Sequence, residues 1–333
     1  MVQEIENYYP INLGILRLDT IRNFDVFLQL QNKKLILYHA GGERFTLSVK
    51  DNLLEHNVST LFVKKRDKVL CLRYIEENLP GILADPSISL SYRSRLAHQT
   101  ITFIARSLFE SQRAKTVKRF KSAIFSTMDL VLSSEHVLAH LIQLTSHDYH
   151  TFAHSINVGI FGIGLAIEVF KDRSEHDMKE MAAGFFLHDI GKCLISPTIL
   201  TKRGPLTDHE WKIMKRHPAD GYKMLSKLNA LSIEAKVIVL QHHERHDGKG
   251  YPKGLKGNEI HIYSKICCIA DVFDALTAMR PHKQPHNSFN ALRIMKNEMK
   301  GEFDPEFFAR FVMLFSRNKY VPKSDNSSTG KII

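Results

Sequence analysis

The sequence predicts an α+β protein in which a small mixed domain precedes an all-α helical bundle. Three observations carry this. Before residue 80, apolar residues alternate with polar ones in short runs, the period of a half-buried strand. From about 122 to 320 the apolar spacing is helical nearly throughout and the strand pattern vanishes. The chain's 333 residues also exceed the ~100–200 that one domain usually holds. The expected divisions are a regulatory or docking domain over 1–90, a linking helix over 94–121, a helical domain over 122–320 and a polar, disordered tail over 323–333.

Each element has a local reason. Val26, Leu28 and Leu30 alternate, as do Leu35 and Leu37, and Asn32-Lys33-Lys34 between them predicts a hairpin turn. A second strand pair is expected on either side of Arg66-Asp67, from Thr60 to Val63 and from Val69 to Tyr74. Ser48 to His56 reads as a short helix, with Ser48 and Asp51 in N-cap spacing. The 94–121 helix carries one apolar face (Ile101, Ile104, Leu108, Phe109) and ends in a basic run of Arg113, Lys115, Lys118, Arg119 and Lys121. That run is a solvated face; no groove-reading motif or interleaved aromatics accompany it, so DNA is not an expected partner. Thr207 and Glu210 form a capping box before another amphipathic helix.

Composition bounds the function. The hydrophobic fraction is 44% and the charged fraction 24%, an ordinary globular balance. The net charge of +11 favours anionic partners. Cys71, Cys193, Cys267 and Cys268 form no CxxC pair, which fits reduced, buried thiols and a cytoplasmic location better than a disulfide framework. MVQEIENYYP lacks the basic start and apolar core of a signal peptide. Ile156 to Phe170 is apolar but is interrupted by Asn157 and Glu168. It is also shorter than the ~20 residues of a membrane span, so a core helix is expected.

Histidine carries the chemistry. His188-Asp189 follows the apolar run Met181–Leu187, and His242-His243 follows Val237–Leu240. His154 lies on the helix of Ile156, Val158 and Ile160; His217 precedes Pro218 at the end of an amphipathic helix; Asp271 lies within Ile266–Leu276. One such residue is most simply a hydrogen-bonded core histidine or a helix cap. Several imidazoles and carboxylates beside apolar segments are costly to bury unless something pairs them. A divalent ion does so, and this donor mix suits iron, manganese, nickel, cobalt or zinc better than magnesium or calcium. Five His and two Asp exceed the needs of one ion, which predicts two metals with a bridging carboxylate.

These strings resemble a known family. His188-Asp189 in HDIGK is the HD pair of the HD-domain phosphohydrolases, and HHERHDGKGYP from His242 to Pro252 is similar to the HHE-x-x-D-G-x-G-Y-P signature of HD-GYP domains. Gly254-Leu255-Lys256-Gly257 and ADVFDAL from Ala270 to Leu276 continue the likeness, which covers about 145–310. The first half loosely resembles a small domain found ahead of some HD-GYP modules. The resemblance implies a phosphodiesterase opening cyclic di-GMP to linear pGpG and GMP through a metal-bridging hydroxide. Cyclic GMP-AMP, another nucleotide, or signalling by protein contact are the alternatives. It places metal ligands at His154, His188, Asp189, His217, His242, His243 and Asp271, with Asp189 bridging. It places Lys192 on the scissile phosphate and Tyr251, Arg280 and Lys283 on the substrate. Iron or manganese is expected first. His150 stands where some members carry a Glu ligand for a third metal, so a binuclear site is favoured over a trinuclear one. His282 departs from a common aromatic. Protein partners or a homodimer through either domain are further expectations.

Overall fold

The computed structural model describes residues 7–30, 32–111, 113–145, 151–202, 204–279 and 285–316. Its internal contacts divide the chain into two units, Met1–Phe103 and Ile104–Ile333.

In the first unit, β1 (Tyr8–Asn12), β2 (Val26–Gln29), β3 (Leu35–His39) and β4 (Thr60–Lys64) form an antiparallel sheet in the order β1-β4-β2-β3. The predicted hairpin is present: Lys33 takes the left-handed conformation (φ 64°) and its N–H donates to Leu30 O at 2.9 Å. Around the sheet lie α1 (Leu47–Glu55), α2 (Lys68–Glu77), α3 (Leu79–Ala84) and the start of α4 (Leu90–Glu110).

Two sequence expectations fail here. Val69–Tyr74 is not a strand but the first turns of α2, entered through a 3-10 turn at Lys65–Asp67. It buries Cys71, Tyr74 and Ile75 at helical spacing; a short apolar run does not by itself separate a strand from a buried helix. The N-cap of α1 is Thr46, not Ser48, and its hydroxyl meets the Ser48 hydroxyl at 2.9 Å.

The 94–121 helix is also two helices, α4 and α5 (Ala114–Ser133). Arg113 is extended (φ −78°, ψ 142°), which interrupts the hydrogen-bond ladder and turns the chain. The apolar faces on both sides are buried, with Ile101, Ile104 and Leu108 before the break and Val117, Phe120 and Ile124 after it. The tail over 323–333 lies outside the described residues.

The second unit is helical: α5, α6 (Glu135–Leu144), α7 (Thr151–Val169), α8 (Met178–Leu187), α9 (Pro197–Leu200), α10 (Asp208–Met214), α11 (His217–Lys227), α12 (Ile233–Gln241), α13 (Ile262–Thr277), α14 (Ser288–Asn297) and α15 (Pro305–Ser316). Helix α7 sits at its centre, packed on α8, α13 and α15, while α8 packs on α5 and α12. By length and composition alone α7 could cross a membrane, yet 72% of its most apolar window is buried within the fold. Phe161 of α7, Phe273 of α13, and Phe311 and Phe315 of α15 form an edge-to-face cluster. A fully buried Phe contributes roughly 1.5–3 kcal/mol, so this cluster fixes α7 against α13, the two helices that carry His154 and Asp271. The capping box at Thr207 and Glu210 is present in full. His217 opens α11 instead of closing the preceding helix: α10 ends at Met214, Arg216 is the N-cap of α11 with its carbonyl accepting from Asp220 N at 2.9 Å, and Pro218 fits the first helical turn.

Candidate metal centre

Three helix ends and two helix interiors converge on one carboxylate. Asp189 follows α8 and is fully buried. Its Oδ1 faces Nε2 of His217 at 3.2 Å and of His242 at 3.7 Å. Its Oδ2 faces Nε2 of His154 and of His188, both at 3.5 Å. His154 Nε2 lies 3.1 Å from Asp271 Oδ1, and His243 Nδ1 lies 3.5 Å from Asp271 Oδ2. The donors form two groups that share Asp189: Asp189, His217, His242 and His243; and His154, His188 and Asp189, with ligand atoms within 4.8 Å of one another in each. All seven residues expected as metal ligands therefore meet in one place.

The backbone fixes which nitrogen points inward. His188, His217 and His242 each offer Nδ1 to the carbonyl three residues earlier, Phe185 at 2.8 Å, Met214 at 2.8 Å and Val239 at 2.9 Å. A carbonyl only accepts, so each Nδ1 carries the proton and each Nε2 presents a lone pair. His217 Nε2 and His242 Nε2 stand 3.2 Å apart. His188 Nε2 and Asp189 Oδ1 are buried without a hydrogen-bond partner. Lone pairs and a carboxylate oxygen converging in a dry site repel unless a cation lies among them, so this donor set fits divalent metal ions.

Protonation follows the same logic. Burial pulls the His188 imidazole down to about 3 and also lowers His217 and His243, which keeps them neutral as ligands must be. Burial would raise Asp189, but Lys192 and the surrounding histidines hold it well below the usual carboxylate range. Burial would likewise raise Asp271, yet His154 and His243 keep it low. His154 is the exception. Burial lowers it, but hydrogen bonds to Asp271 and Asp274 outweigh this and push it up to about 10. A metal at His154 must therefore displace a proton.

Some partners were not foreseen from sequence. Asp274, one turn after Asp271 on α13, accepts from His154 Nδ1 at 2.7 Å and from Asn157 Nδ2 at 2.8 Å. Its only sequence signal is the i, i+3 spacing that puts two acids on one face of an apolar helix. Glu244 is buried and accepts from the backbone N–H groups of Lys253 at 2.7 Å and Leu255 at 2.9 Å, which ties the loop after α12 to the centre. Gly250 is required there: a Cβ would stand 2.4 Å from Arg245 N and 2.5 Å from His243 O. The loop sets the Tyr251 ring against the His243 ring, centroids 4.6 Å apart.

Lys192 reaches the centre, its Nζ donating to Asp189 Oδ2 at 2.5 Å. His150, Arg280 and Lys283, expected at a third metal and on the substrate, lie outside the described residues, as does His282.

The HD domain family matches residues 165–307. A cyclic di-GMP phosphodiesterase of Pseudomonas aeruginosa is 37% identical over 182 residues, 55% of this chain and 43% of that protein. The Thermotoga maritima cyclic di-GMP phosphodiesterase is 33% identical over 242 residues, 69% of this chain and 65% of its own length. The chain belongs to the HD-GYP family of the HD superfamily. Other relatives of this HD-GYP protein, from Vibrio cholerae, are named for 3'3'-cGAMP. The chain spans about two thirds or less of the length of the curated relatives described here. Bd1817 of Bdellovibrio bacteriovorus, described as a HDG"Y"P protein, shares the fold with a TM-score of 0.64 at 18% identity, over 93% of this chain and 100% of that one.

Proposed function

We propose that this chain is a metal-dependent phosphodiesterase that opens cyclic di-GMP to linear pGpG and on to GMP, using two divalent ions, iron or manganese first. The observation that carries the reading is Asp189, whose two oxygens serve two separate histidine groups. One carboxylate divided in this way is what a two-ion site needs. His154, His188, His217, His242, His243 and Asp271 would complete it.

Ions held there would act as Lewis acids and ionise water near neutral pH. The chain's own residues do the rest. Lys192, 23% exposed at its side chain, sits at the edge of Asp189, where its ammonium meets the negative charge that grows on a phosphate under attack. Tyr251 walls the site beside His243. Glu244 holds that wall in place through two backbone N–H groups. Burial of the ligands excludes bulk water, which strengthens each charge interaction. We assign regulation, docking or self-association to the first unit, because the metal-ligand groups among the described residues all lie in the second.

The test is hydrolysis of cyclic di-GMP and of 3'3'-cGAMP by protein purified anaerobically with iron or manganese, with bound metal assayed alongside. Two equivalents of metal and cleavage of cyclic di-GMP are expected. A fully loaded protein that leaves cyclic di-GMP intact overturns the reading.

A further inference from the structure

We propose that Lys215 is a second phosphate anchor, holding the phosphodiester of a cyclic dinucleotide that is not being cut. The inference rests on the functional reading above and extends it to a residue with no assigned role. A cyclic dinucleotide carries two phosphodiesters, and only one can sit at Asp189. The other brings a second negative charge to the mouth of the site and needs a counter-charge there.

The cations near the centre are mostly committed. Lys192 donates to Asp189 at 2.5 Å. Arg245 forks onto Asp247 and also reaches Glu302 at 3.1 Å. Arg216 pairs with Asp220 at 3.5 Å. Lys215 differs: it is exposed and has no carboxylate partner among the described residues. Its Nζ lies over the Tyr251 ring, 5.6 Å from the centroid. That ring packs on His243 at 4.6 Å and on His217 at 6.5 Å. The charge is thus held beside two ligand imidazoles by an aromatic face, not by an acid.

Position and chemistry agree. Lys215 closes α10, its N–H bonded to Trp211 O at 2.9 Å, and it is two residues from His217, so the break between α10 and α11 sets its place. A ring face steadies an ammonium by about 0.5–1 kcal/mol at an exposed site without consuming its N–H donors. Those donors stay available to a phosphate oxygen, which lysine binds as a point charge.

The experiment compares metal-loaded wild type with Lys215→Ala, Lys215→Gln and Lys215→Arg on two substrates: cyclic di-GMP, with two phosphodiesters, and bis(p-nitrophenyl) phosphate, with one. Loss of a charge-assisted contact should raise KM for cyclic di-GMP about tenfold in the Ala and Gln variants. The KM for bis(p-nitrophenyl) phosphate should move several-fold less, kcat should stay close to wild type on both, and Lys215→Arg should restore KM. Equal KM changes on the two substrates, or none on cyclic di-GMP, overturn the anchor while leaving the functional reading intact. Wild type that cuts bis(p-nitrophenyl) phosphate but not cyclic di-GMP overturns the functional reading, and the anchor with it.

Discussion

Asp274 holds Nδ1 of His154 at 2.7 Å while Asn157 holds the other oxygen of Asp274 at 2.8 Å. His188, His217 and His242 instead turn Nδ1 to a backbone carbonyl. The Asp274 carboxylate makes the His154 ring more basic and fixes its direction, as carboxylates behind metal-binding histidines do. Asp274→Ala is expected to lower metal affinity roughly 10–100-fold, with Asp274→Asn in between, since it keeps the acceptor and loses the charge. Competition titration against a chelator reads this. Unchanged affinity in both variants removes the orienting role.

Variants of Asp189 and Lys192 test metal holding apart from phosphate contact. Asp189→Ala removes the carboxylate shared by both ligand groups and should abolish hydrolysis together with bound metal. Lys192→Ala removes only a cation from that carboxylate. It should retain metal and lose roughly 10²–10³-fold in kcat, the usual cost of one donor to a developing oxyanion. A Lys192→Ala protein that comes out metal-free would show that the lysine positions Asp189 and does not serve phosphate.

Gly191 tests how the HD turn is built. A Cβ there would stand 2.0 Å from His217 O and 2.7 Å from Gly221 N, both backbone atoms that cannot swing aside. Gly191→Ala must push the start of α11 away from Asp189, at a cost of roughly 1–3 kcal/mol. The expected result is a Tm lower by several degrees together with weakened metal binding, because His217 moves with the helix. A variant with wild-type Tm and metal content contradicts the close approach.

The centre was legible in the sequence because its ligands abut apolar helix segments, where an unpaired His or Asp has no cheap explanation. All seven residues expected as ligands lie together. Asp274 was not assigned a role because one acid on a buried helix face looks the same whether it caps, pairs or orients. The inward tautomers of His188, His217 and His242 depend on carbonyls three residues back, which follow from the way α8, α10 and α12 end and not from residue type. In the first unit, alternation gave β2 and β3, but VLCLRY at Val69–Tyr74 fits either period over six residues, and tertiary burial of Cys71 and Tyr74 decided for helix. The division of 94–121 turned on the extended backbone of Arg113, a residue with ordinary helix propensity.

His98 gives a pH dependence of its own. It is on α4, within the first unit, and burial pulls its imidazole from 6.5 down to about 4. Between those values the unfolded chain takes up a proton that the folded chain refuses. The unfolded state therefore binds more protons, and stability falls as pH drops through this window. The contribution is fully present above pH 6.5 and is lost progressively down to about 4. A side chain that cannot titrate removes the effect, so His98→Gln should lose less Tm than wild type between pH 7 and pH 4.5. The slope difference should approach about 1 kcal/mol per pH unit at most. Both proteins share every other acidic and basic group, so the difference between their curves isolates His98. Parallel curves would mean that the imidazole is charged in the folded protein or is free to reach water.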